Sequence, residues 1–138
     1  MRRRILAALV TGAAWLTAGA AEVPQTAPSD PVARGEYLTH HVSMCVVCHS
    51  PKTRSGDVIL EQQFQGGAIP FERPWPESQK WAARAPALAK LPGFSDEEVV
   101  HILTTGTRFS GQRPQPPMPP FRLSQQDAEA IVAYLKSL

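Results

Sequence analysis

Cysteine is scarce in this chain, with two residues in 138, at positions 45 and 48. A framework of several disulfides is thereby excluded, and so is a four-thiolate metal site. The four histidines are scattered, so the two further soft ligands that would complete a zinc site are also lacking. No alternation of strand and helix patterns surrounds the cysteine pair, which removes the setting of a thioredoxin-like dithiol. Charge of one sign is lacking as well. The chain counts 14 basic and 12 acidic residues, but Arg2, Arg3 and Arg4 open an N-terminal leader; without them eleven basic residues face twelve acidic ones. Nothing in that balance supports nucleic-acid binding.

Long apolar runs are missing except for Ile5 to Ala21, directly after the three arginines. A basic start, an apolar stretch and the small-residue pattern Ala18-Gly19-Ala20 read as an export leader over residues 1–20, cleaved near Ala20. The other reading is an uncleaved membrane anchor, for which this run sits at the short limit. No cysteine follows the run to accept a lipid. Residues 21–29 read as a flexible tether with proline and alanine, and residues 30–138 as one domain. The expected location is the periplasm, with membrane attachment only if the leader stays on.

What is present is concentrated in Cys45-Val46-Val47-Cys48-His49. Cys-x-x-Cys-His is the attachment pattern of c-type haem. Two thiols must add to the two vinyl groups of one flat macrocycle, and an imidazole must reach its iron. Positions i, i+3 and i+4 share a helix face, so Cys45, Cys48 and His49 can meet one ligand. A short structural disulfide is the remaining bland reading of the pair.

The periodicity predicts three to four short helices joined by long loops, an all-α domain. Asp30-Pro31 starts the first helix, with Val32, Tyr37 or Leu38, and Val42 as its apolar stripe. Gly35 in its interior costs helix propensity and is expected to serve close packing. Ser95 and Glu98 form a capping box for a second helix with Val99, Ile102 and Leu103 on its buried face. Ser124 caps the last helix, whose stripe is Ala128, Ile131, Val132, Leu135 and Leu138. Residues 50–80 show little periodicity and read as a long loop. Phe71, Trp75 and Trp81 are expected in haem packing or the core, with Arg73 or Arg84 as candidates for a haem propionate.

Arg34-Gly35-Glu36-Tyr37-Leu38, followed by Cys45-Val46-Val47-Cys48-His49, resembles the opening of class I c-type cytochromes. It is most similar to the haem modules that accompany periplasmic alcohol and sugar dehydrogenases. The resemblance runs to the C-terminus and is weakest from Ser50 to about Lys80. It implies a class I cytochrome c fold wrapped around one covalent haem c, with the first and last helices crossing at a glycine–aromatic contact, Gly35 against Tyr134 or its neighbours. It also implies a backbone carbonyl, often from proline, on the second nitrogen of the proximal histidine. No Gly-Pro closely follows His49, and that partner is left unassigned.

Met118, inside Pro116-Pro117-Met118-Pro119-Pro120, is the expected distal ligand. Prolines remove donors and fix φ, so the loop is expected to be stiff and extended. His/Met ligation raises the potential and leaves no open position on the iron. Met44 is adjacent to Cys45, and His40 and His41 precede it on the proximal side, which leaves His101 as the rival ligand. The expected function is a periplasmic single-electron carrier rather than an enzyme. Its partners would be redox proteins, a dehydrogenase as donor and an oxidase or another cytochrome as acceptor. A dedicated subunit of a dehydrogenase or oxidase complex is the alternative, and a haem enzyme or sensor with an open distal site a further one. Arg108, Arg113, Arg122, Lys52 and Arg54 are candidates for a basic docking rim.

Overall fold

In the computed structural model, residues 30–73 and 80–138 are described; the leader, the tether and Trp75 lie outside them. Helix α1 (Pro31–Tyr37) starts as its sequence dictates. Asp30 is extended, and its carboxylate accepts the N–H groups of Val32 and Ala33 at 3.3 and 3.2 Å. Helix α1 does not run straight into the cysteine motif. A π-helical turn, Leu38–Val42, follows, and Met44 then takes a left-handed conformation at φ 53° before helix α2 (Cys45–His49) begins. The wider turn rotates the side chains past the expected stripe. Leu38 is buried, while Tyr37 and Val42 are about half exposed.

Helix α3 (Asp96–Thr105) and helix α4 (Gln125–Ser137) follow the expected caps. Ser95 and Ser124 accept the N–H groups of Glu98 and Asp127, each at 3.1 Å. The Glu98 carboxylate, instead of closing the box, pairs with Arg108 at 3.6 Å. Gly106, left-handed at φ 69°, ends α3.

Helices α1 and α4 cross at Gly35. A Cβ there would overlap the Ala130 carbonyl and lie 2.6 Å from Tyr134 Cβ. Only hydrogen fits, and the glycine–aromatic contact expected from the resemblance is present. Two nitrogens of Arg34 meet Asp127 Oδ1 at 2.9 and 3.0 Å and close the same crossing. Ala128, Ala130, Ile131, Val132, Tyr134 and Leu135 of α4 are buried; Leu138, expected in the stripe, is exposed at the end.

Residues 50–85 hold more structure than a plain loop. A 3₁₀ turn, Leu60–Gln62, precedes Phe64, which is fully buried. Strand β1 (Gly67–Ala68) pairs antiparallel with strand β2 (Arg84–Ala85). This small sheet was not legible as strand because two-residue strands carry no periodicity. The Gly66 N–H donates to the His49 carbonyl at 2.8 Å, so the sheet is fastened to the end of α2. The architecture is all-α with this one small sheet among the described residues, in agreement with the fold that the resemblance implies. No helix of the described residues is long and apolar enough to cross a membrane.

Candidate functional site

Helix α2 brings its three chemical residues to one cleft of about 390 Å³, a size suited to a small organic group. Cys45, Cys48 and His49 all line it, as the i, i+3, i+4 spacing requires. Both cysteines are free thiols, so the disulfide reading of the pair is absent. Burial pushes the Cys45 thiol up to about 11, with Cys48 beside it adding to the effect, and burial raises the Cys48 thiol as well. The two sulphurs therefore sit in this apolar wall as neutral groups, a state that a thioether keeps without charge.

His49 is buried, and that burial depresses its basicity, so its neutral imidazole is favoured. Its Nδ1–H donates to the Pro86 carbonyl at 2.8 Å. One nitrogen is thus fixed as the donor, which leaves the Nε2 lone pair for a metal. Pro86 is the partner that sequence reasoning missed. It lies 37 positions on, in Ala85-Pro86-Ala87-Leu88, and reaches His49 because β2 pairs with β1. The one available signal was the proline itself, standing just after a segment with no helical period.

Met118 lines the same cleft. Its loop is not extended as expected. The Met118 N–H donates to the Gln115 carbonyl at 3.2 Å across a cis Pro116–Pro117 bond, which makes a tight turn. Proline in cis at the third position of a four-residue turn permits that geometry. His101, the rival ligand, is away from the cleft and stacks on Phe109 with ring centres 4.5 Å apart. Met44 lines the mouth, half exposed.

The rest of the wall is mainly apolar and includes Leu88, Phe94, Val99, Ile102, Ile131 and Leu135. Phe71, expected in packing, is instead exposed, and Trp81 is half-buried without lining the cleft. Arg84, Arg108 and Arg113 line it, and no described carboxylate does, so the acidic substituents of a haem would meet positive charge there. Arg73 is exposed away from the cleft, and Arg122 folds back to donate to the Phe121 carbonyl at 2.8 Å. Lys52 donates to the Ser50 carbonyl at 3.1 Å, and Arg54 is exposed. Of the expected basic rim, Arg108 and Arg113 belong to the cleft itself.

Ser43 Oγ, in the same wall, is buried without a hydrogen-bond partner. Two thiols, one oriented imidazole and a thioether belong to residues that line one apolar slot. That donor set fits a flat, covalently held haem; no described cluster of three or more His, Cys, Asp or Glu side chains offers a conventional metal site. Residues 32–138 match the protein-family model described as Cytochrome c. No curated protein matches the chain.

Proposed function

The chain belongs to the cytochrome c family, and from that membership we propose that it is an exported carrier of single electrons whose haem iron is held between His49 and Met118. The family binds haem c covalently, and here the attachment residues are Cys45 and Cys48, with His49 beside them. When bound, that group supplies the one-electron couple. The chain supplies the rest. Cys45 and Cys48 anchor one edge, and Pro86 keeps the His49 tautomer that leaves Nε2 free. Apolar side chains from α3 and α4 exclude water, which favours the less charged, reduced state.

The observation that carries the proposal is that an oriented His49 and Met118 line one mainly apolar cleft, while His101 stacks on Phe109 and does not line it. Two such ligands leave no position for substrate, which supports a carrier and not an enzyme. The leader over residues 1–20 supports export to the periplasm, with cleavage near Ala20. The resemblance to modules of alcohol and sugar dehydrogenases supports a dehydrogenase as donor and an oxidase or another cytochrome as acceptor.

The test is the visible spectrum of protein matured in a host that attaches c-type haem. A c-type spectrum in alkaline pyridine, together with the weak far-red ferric band of a sulphur–iron bond, is expected. A c-type spectrum without that band removes Met118 from the iron, and the absence of covalent haem removes the whole assignment.

A further inference from the structure

One five-residue segment touches both sides of the cleft. At residue 86 its carbonyl accepts the His49 Nδ1–H at 2.8 Å. At residue 82 its N–H donates to the Pro116 carbonyl at 2.7 Å, inside the turn that carries Met118. Between these ends the Ala83 carbonyl accepts from Ile69 N–H at 3.0 Å, and Arg84–Ala85 pairs with Gly67–Ala68. Gly66, next in line, is bonded to the His49 carbonyl. Ala82, Arg84, Ala85 and Pro86 all line the cleft.

The methionine loop needs such an anchor from outside. Residues 114, 116, 117, 119 and 120 are prolines and have no N–H to give. Its remaining backbone bonds, Met118 to Gln115 and Phe121 to Pro119, are internal and shape the turn without fastening it. Among the backbone hydrogen bonds of the described residues, Ala82 to Pro116 is the one that joins residues 113–121 to another part of the chain.

We infer that residues 82–86 are a strap that couples the His49 and Met118 sides of the cleft, and that the Ala82 N–H to Pro116 carbonyl bond latches the turn that carries Met118. Ala82 is a positioning residue, acting through the Pro116 carbonyl. The inference rests on Met118 as distal ligand. Displacing Met118 should release the latch, and removing the latch should make Met118 easier to displace.

Two measurements on the ferric holoprotein test this, with imidazole as the competing ligand. In the Ala82→Pro variant, which lacks the N–H, imidazole should bind roughly two- to tenfold more tightly, the range of one lost hydrogen bond. Wild-type affinity in a variant that still shows the far-red band overturns the strap and leaves the ligation standing. Amide exchange in the wild type needs no substitution and holds if that variant fails to mature. The Ala82 N–H should be protected, and should lose that protection when imidazole replaces Met118, while Gly66 N–H keeps its own. Unchanged exchange at Ala82 overturns the latch. A wild type without the far-red band overturns the ligation and the strap together.

Discussion

Gly35→Ala sets two effects of opposite sign against each other, and the structure says which is larger. Alanine gains about 1 kcal/mol of helix propensity over glycine. Against that, the new Cβ would overlap the Ala130 carbonyl and stand 2.6 Å from Tyr134 Cβ, where ordinary contacts begin at 3.4 Å. Neither obstacle is the far end of a flexible side chain. Both belong to the backbone or the first side-chain atom of a buried helix, so α1 must back away from α4 to make room. That movement loosens dispersion contacts along the crossing and draws Arg34 off Asp127. Overpacking of this kind costs about 1–3 kcal/mol where neighbours can adjust, and here they adjust poorly. A net loss of about 1–2 kcal/mol remains after the propensity gain. The assay is guanidinium unfolding of the ferric holoprotein followed by far-ultraviolet circular dichroism. The midpoint should fall with an unchanged slope, while the haem spectrum stays native. Ala33→Gly on the same helix measures the propensity difference together with the loss of one partly buried methyl, and so sets an upper limit on propensity. A Gly35→Ala protein as stable as wild type, or more so, would refute the close-packing argument.

Met118→Ala should retain covalent haem, lose the far-red ferric band and bind carbon monoxide readily when reduced, with a lower reduction potential; a spectrum identical to wild type would assign the distal position elsewhere. A double-mutant cycle on Arg34→Ala and Asp127→Ala should give a coupling of about 0.5–1 kcal/mol, as expected for a partly exposed pair, and additive losses would show that the 2.9 Å contact contributes nothing. Phe64→Ala removes a fully buried ring and should cost about 3–5 kcal/mol in thermal or denaturant unfolding, against which a loss below about 1 kcal/mol would count. Arg113→Gln should slow electron exchange with an acidic redox protein and flatten its dependence on salt, and a rate indifferent to both would end the docking role of the cleft arginines.

The parts of this molecule that were legible in the sequence are those whose physics is local. Asp30-Pro31, Ser95 and Ser124 cap helices through atoms two or three residues away, so their patterns place α1, α3 and α4 correctly. Cys45, Cys48 and His49 share a face because the helix repeat makes them do so. The errors begin where one residue more or fewer per turn decides the outcome. A π-helical turn at Leu38–Val42 leaves no compositional trace, yet it turns Val42 outward. The proline-rich loop failed for a related reason. The Met118 N–H reaches back to the Gln115 carbonyl and closes a turn, and a run of prolines is equally compatible in composition with a turn and with an extended chain.

What stayed hidden is the long-range part, and it is also the part that completes the site. His49 meets Pro86 only after β1 and β2 have paired, and each strand is two residues long. The entropy of closing such a loop grows only slowly with its length, so the separation of His49 and Pro86 in sequence is no obstacle to their meeting. The requirement falls instead on a few backbone groups: the carbonyls of His49, Ala83, Pro86 and Pro116, and the N–H groups of Gly66, Ile69 and Ala82. Backbone groups are the same in every residue, proline's missing N–H apart, so their pairing is invisible to any reading of side-chain pattern. The two ends of the site are therefore joined by main chain, while the side chains that sequence reading can see only mark where the ends lie.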